Sequence, residues 1–315
     1  MKKRYTVLTY IINAYEGVHE IDECDPEAEY ILVTDDKELH SNTWRVLYDA
    51  DLEGLSVFDK CYAIRFNCFK YATTDICVRL DGSIRVMASL KPLIDIFEQG
   101  GYDAGLMPHS LRYNFKEEYD VWVKHRGYPR KQAQHCIEAL KNLGYEFEYK
   151  GMFQGCMSIQ RRGELTDSID RQTLSLMKQL GKAGQIERLD QIPLSFIVNT
   201  RFSHLRVLPI SERILMSYAL QWYAHNSDQP CFNVLPDADR AWMFNREVTC
   251  ASLPTLPEYM VRRERFLQDL VMDEKQQIIR LQRRRDSHLR SIRLLVVLSS
   301  ILVLVSLILS MALLA

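Results

Sequence analysis

Residues 294–315 run for 22 positions without a charged side chain, built from Leu, Val and Ile with only serines for polarity. A hydrocarbon core about 30 Å thick needs about 20 apolar residues in a helix, because lipid offers backbone polar groups no partner. A buried helix of this length in a water-soluble domain would carry a polar stripe, and this run has none. It therefore predicts a single transmembrane helix over residues 294–315. Since the run closes the sequence, insertion is expected to follow translation. Arg280, Arg283, Arg284, Arg285, Arg290 and Arg293 precede it against one acid, Asp286. Such an excess predicts that the preceding chain stays in the cytoplasm, and each charge near the surface adds about 1 kcal/mol of attraction to anionic headgroups. The expected localisation is a single-pass membrane protein with a cytoplasmic N-terminal domain.

The other end of the chain resembles a signal peptide only superficially. Lys2, Lys3 and Arg4 precede an apolar stretch, residues 5–12, but that stretch holds two Thr and two Tyr and reaches no small-residue cleavage site. An opening β-strand is the better reading. Forty basic residues against forty-one acidic ones leave a formal charge of -1, so no global field attracts nucleic acid. The eight cysteines contain no CxxC pair, which fits reduced thiols in a cytosolic compartment.

Over residues 1–225 strand-like and helix-like segments alternate. Residues 6–12, 29–34, 76–80 and 104–107 are short apolar or β-branched runs ended by turn residues. Residues 59–72 and 90–97 carry apolar side chains at helical spacing. This alternation predicts an α/β domain with a mostly parallel sheet flanked by helices. Residues 226–257, with Pro230, Pro236, Pro254 and Pro257, read as a linker or wrapping segment. Residues 258–293 lack Gly and Pro and read as a basic stalk helix. There Leu267, Val271, Ile278, Leu281 and Ile292 fall on a heptad seam interrupted by Glu274, Arg285 and His288. A homodimer through the stalk and a monomeric helix are both compatible with that seam.

Ligands of open α/β sheets bind at the carboxyl ends of the strands, so the residues after each expected strand matter most. These are Asp35 and Asp36, then Asp81 and Gly82, then Pro108, His109 and Arg112. An Asp followed by Gly at such a place can hold a divalent cation beside a diphosphate. It can equally be a turn in which Asp bonds its own backbone. Trp122, Trp222 and Tyr223 are candidates for stacking on sugar rings or for the core.

Several of these segments occur in a familiar order. Residues 7–16 (VLTYIINAYE), 30–36 (YILVTDD) and 43–46 (TWRV) are followed by Lys60 and by residues 78–84 (VRLDGSI). Then come 108–112 (PHSLR) with Glu117 or Glu118, 151–157 (GMFQGCM) and 190–196 (DQIPLSF). The series, spanning roughly residues 5–205, resembles a glycosyltransferase-like family long catalogued as a domain of unknown function. Its members occur among plant Golgi cell-wall proteins and in bacterial polysaccharide loci.

The resemblance implies a GT-A-like, Rossmann-like fold that binds a nucleotide-sugar donor and serves a glycan or lipid-linked acceptor. It places Asp35 and Asp36 near the base and ribose, and Lys60 against phosphate. Asp81, with Gly82 and Ser83, becomes the metal-side element of a DxD-like motif, holding Mn²⁺ or Mg²⁺, and His204 is a candidate for a further metal or phosphate ligand. Ser83 departs from that motif, which has a second acid there, so cation-independent binding by Lys60, Arg79 or Arg112 stays open. His109 and Arg112 are expected near phosphate or the transferred sugar. Asp190 is the candidate catalytic base if the reaction inverts the anomeric centre, with a helix N-cap as its alternative role, and Gln191 a partner for a sugar hydroxyl. The expected function is a membrane-tethered glycosyltransferase of polysaccharide biosynthesis. The alternatives are a catalytically silent sugar-nucleotide-binding module and a membrane scaffold.

Overall fold

The computed structural model describes residues 2–109, 114–124, 128–144, 151–184, 190–210, 215 and 219–223, with the backbone alone at 182–184. Along the chain run β1 (Tyr5–Ile11), β2 (Ala28–Thr34), β3 (Arg45–Tyr48), α1 (Val57–Arg65) and β4 (Ile76–Leu80). Next come β5 (Ile84–Val86), α2 (Lys91–Gln99), β6 (Ala104–Pro108), α3 (Phe115–Lys124), α4 (Arg130–Asn142) and β7 (Phe153–Arg161). Last are α5 (Glu164–Gly184), α6 (Gln191–Phe196), β8 (Val207–Pro209) and β9 (Leu220–Trp222).

Seven of these strands form one mixed, mostly parallel sheet in the order β3-β2-β1-β4-β7-β6-β8. β1 pairs in parallel with β2 and β4, and β2 with β3. β7 runs antiparallel between β4 and β6, while β6 pairs in parallel with β8. β5 and β9 make a separate antiparallel ribbon. Every residue of β1 is buried, as expected for a central strand covered on both faces. One core cluster joins Leu8, Ile31, Val33 and Cys77 of the sheet to Ile64 of α1. A second joins α3 through α6 to β6, β7 and β8.

The expected strands at 6–12, 29–34, 76–80 and 104–107 match β1, β2, β4 and β6 to within one residue. The expected helix over 59–72 is shorter. Ser56 caps α1 by accepting from the Asp59 N–H at 3.2 Å, but Phe66 leaves helical geometry and Asn67 is extended in φ (-154°). The chain then tucks Cys68 into the core through a 3₁₀ turn at Cys68–Lys70. Arg65 is thereby left in the last turn of α1.

The chain moves from β1 to β2 to β3 on one side and then returns to place β4 on the other side of β1. At such a reversal open α/β sheets take their ligands in the crevice outside the carboxyl ends of the two strands, here β1 and β4. Among the described residues no helix is long and apolar enough to cross a membrane. The linker, stalk and apolar run expected over 226–315 lie outside the described residues.

Candidate active site

Alternation along β4 puts Cys77, Arg79 and Asp81 on one face of the sheet, and Tyr10 faces them from β1. Asp81 Oδ1 accepts from the Tyr10 hydroxyl at 2.9 Å, from Arg65 Nη2 at 2.7 Å and from Arg79 Nη1 at 3.3 Å. Arg65 Nη2 also donates to the Tyr10 oxygen at 2.9 Å. Arg79 is buried and spends its other nitrogens on the Gly155 carbonyl (2.7 Å) and the Ser158 hydroxyl (3.3 Å) of β7. Burial pushes the Asp81 carboxyl up, but Arg65 and Arg79 with the Tyr10 bond outweigh it and hold the group below the usual carboxylate range.

Arg65 Nη1 pairs with Asp190 Oδ2. Asp190 occupies the N-cap position of α6, yet it has helical φ/ψ and its side chain makes no capping bond. The carboxylate turns to Arg65 instead. The pair lies against β7 at Gly155. A Cβ on Gly155 would overlap Asp190 Oδ2 and stand 2.8 Å from Arg65 Nη1. Gly82 is similarly placed, since its Cβ would sit 2.6 Å from the Tyr10 carbonyl.

A second ion pair joins α1 to the end of β2, and a backbone bond to the same carboxylate ties in the end of β1. Lys60 Nζ donates to Asp35 Oδ2 at 2.7 Å, and the Asn13 N–H donates to Asp35 Oδ1 at 2.8 Å. Burial raises the Asp35 carboxyl, and the Lys60 and Asn13 bonds outweigh it, keeping the group below its ordinary value. The expected phosphate lysine is thus matched to a carboxylate of its own chain. Asn13 and Ala14 have φ of 56° and 48°. For Ala this left-handed conformation stores about 1 kcal/mol of strain, placed at the mouth of the crevice. Asp36 is exposed and its Oδ1 accepts from the Glu38 N–H at 2.9 Å in a local turn.

The other expected site residues sit less centrally. Ser83 is buried and its carbonyl accepts from the Tyr223 N–H at 2.9 Å, with the Tyr223 ring stacked on His19. His109 is buried at the end of β6, its N–H bonded to the Met152 carbonyl at 2.9 Å. Gln191 opens α6 beside Asp190, and its carbonyl accepts from Ser195 Oγ at 2.6 Å. His204 is exposed in the turn before β8. Arg112 lies outside the described residues. Trp122 and Trp222 are core residues, Trp122 donating to Glu118 Oε1 at 3.0 Å.

The donor set around Asp81 does not fit a divalent cation. Two guanidiniums already bond Asp81 Oδ1, the second motif position is Ser83, and among the described residues no three His, Cys, Asp or Glu side chains are grouped to hold a metal. Arg65 and Arg79 balance Asp81 and Asp190, two charges against two, so the cluster supplies no net negative field.

Behind the cluster lies a cavity of about 30 Å³ lined by Arg65, Arg79, Gln160, Asp170 and Asp190 among others, space enough for a water or two. Gln160 Nε2 donates to both Asp170 oxygens, at 3.1 and 3.3 Å. Burial nonetheless pushes the Asp170 carboxyl up to about 7, against the pull of Gln160 and Arg79.

No family model matches the sequence, and no curated protein matches it. Solved structures similar to this chain include mouse xyloside xylosyltransferase 1 in its apo form, at 10% identity and a TM-score of 0.38 over 66% of this chain and 85% of that one. They also include the apo WbbM bifunctional glycosyltransferase, at 14% identity and a TM-score of 0.42 over 69% of this chain. The match spans 40% of the length of WbbM. Likenesses this loose assign no substrate and no site residue.

Proposed function

We propose that the chain is a membrane-tethered glycosyltransferase that moves a sugar from a nucleotide-diphosphate donor to a glycan or lipid-linked acceptor. One observation carries this reading. Four segments of the family-like series, separated widely in sequence, meet at one sheet edge: Tyr10 from the first, Asp81 from the Leu-Asp-Gly segment, Gly155 from the glycine-bracketed strand and Asp190 from the Asp-Gln segment. They meet at the switch between β1 and β4, where open α/β sheets take their ligands.

In this reading the acceptor hydroxyl attacks the anomeric carbon and its proton passes to Asp190, acting as general base. The bond from that carbon to the diphosphate breaks, and the diphosphate leaves with the electron pair. Asp35 and Asp36 line the nucleotide side, and Gln191 meets a sugar hydroxyl. Fixed charges aimed at the departing diphosphate supply most of the rate. A helix at residues 294–315 would hold the domain at the cytoplasmic membrane face and raise the effective concentration of a lipid-linked acceptor.

The ion pair between Asp190 and Arg65 favours a second reading, a module that binds the sugar nucleotide without turning it over. Release of nucleoside diphosphate from UDP- and GDP-sugars by the detergent-solubilised full-length protein separates the two. A transferase releases diphosphate, and Asp190→Asn slows that release by 10²-fold or more. Binding without release in the wild type assigns the silent module. Neither binding nor release removes both.

A further inference from the structure

We propose that Arg65 is the built-in cation of this site, taking the place of a divalent metal against the diphosphate of the donor. The inference rests on the transfer reading above and deepens it.

The position between Asp81 and Asp190, where a dication held by both carboxylates would sit, is filled by the Arg65 guanidinium. It donates to Asp81 Oδ1 and Asp190 Oδ2 and to the Tyr10 hydroxyl. A metal could take that place only by driving Arg65 off both acids, leaving a largely buried guanidinium with no carboxylate beside it. The surroundings hold Arg65 in place from three sides. Gly155 leaves room for its Nη1, Tyr10 fixes its Nη2, and Arg79 shares Asp81 from behind.

Arg65 also keeps hydrogen-bonding capacity for an anion. A guanidinium carries five N–H donors, and three are engaged with Tyr10, Asp81 and Asp190. Its Nε is buried without an acceptor among the described residues, so the donor left to meet an anion is the second hydrogen of Nη1. A planar, permanently charged fork of this kind matches phosphate oxygens better than the point charge of a lysine. Tyr10, Arg65, Asp81 and Asp190 are therefore one preformed unit in which the positive charge is covalently part of the protein.

The test is the dissociation constant of UDP and of GDP for the full-length protein, each measured in EDTA and in Mn²⁺ or Mg²⁺. The expected result is that the nucleotide that binds does so within twofold under both conditions. Arg65→Met should weaken it tenfold or more, and Arg65→Lys should recover part of the loss. If Arg65→Met does not fold, the Lys variant and the wild-type EDTA comparison decide the matter. Binding that weakens tenfold or more in EDTA overturns the inference and leaves the transfer reading standing. An Arg65→Lys protein that folds and binds as wild type overturns the role of the guanidinium. Absence of binding under every condition overturns both readings together.

Discussion

Arg65 and Asp81 lie sixteen residues apart and are joined by a 2.7 Å ion pair whose guanidinium also holds Asp190, 125 residues downstream of Arg65. The helix that carries Arg65 must stop where it does for this bridge to form. The strand carrying Asp81 must be flanked by an antiparallel β7 whose Gly155 makes room for it.

Replacing Asp81 by Asn leaves Arg65 and the buried Arg79 short of a counter-charge. Removing one partner of a buried ion pair typically lowers stability by about 3–5 kcal/mol. Asp81→Asn is expected to fold with a lowered midpoint in urea and to lose donor turnover. Unchanged turnover would remove Asp81 from the site.

Three glycine-to-alanine changes should separate by what each Cβ meets. Gly82→Ala drives a methyl against the Tyr10 carbonyl and Gly155→Ala drives one into the Arg65–Asp190 pair. Overpacking of this kind lowers stability by about 1–3 kcal/mol, and Gly155→Ala should also lower donor turnover. Gly17 is exposed with nothing near its Cβ, so Gly17→Ala should stay within about 0.5 kcal/mol of wild type. Urea unfolding of the three proteins checks the order.

Much of this architecture is legible in the sequence, and what is not has identifiable causes. β1, β2, β4 and β6 are uninterrupted apolar or β-branched runs closed by turn residues, the pattern of buried parallel strands. The length of α1 is misread because Phe66 and Phe69 keep helical spacing past the point where Asn67 breaks the helix. Asp81 and Asp190 stand out by their motifs, but Arg65 looks like any arginine on a helix. Its partners come from β1, β4 and the start of α6, so no local spacing marks it. Asp35 is legible as an acid at a strand end, whereas its pairing with Lys60 emerges only once α1 is packed beside β2.

Stability should respond to pH in two opposite ways. Asp170 ionises near 3.8 in the unfolded chain and near 7 in the folded protein. The folded state therefore holds the proton more tightly, and this contribution is complete below about pH 4 and lost as pH rises through 7. Asp35 and Asp81 are held below the ordinary carboxylate value. Their contributions are present above about pH 4 and disappear as pH falls below it. Thermal melting from pH 3 to 8 should peak on the acid side of neutral, and Asp170→Asn should flatten the decline between pH 5 and 7. A decline unaltered by that substitution would contradict the environment assigned to Asp170.

Residues 294–315 should make the full-length protein pellet with membranes and resist extraction by salt, while removal of residues 258–315 should release the protein to the supernatant. Protease added outside intact cells or spheroplasts should leave the N-terminal domain uncut. Cutting from outside would reverse the topology and remove cytoplasmic sugar nucleotides as donors.

A crystal structure with a bound nucleoside diphosphate tests the account most directly. The account predicts the diphosphate in the crevice between the carboxyl ends of β1 and β4, with its terminal phosphate oxygens within hydrogen-bond distance of Arg65 and no metal ion bridging it to Asp81. A diphosphate bound elsewhere on the domain, or one reaching Asp81 through a divalent cation with Arg65 displaced, would contradict it.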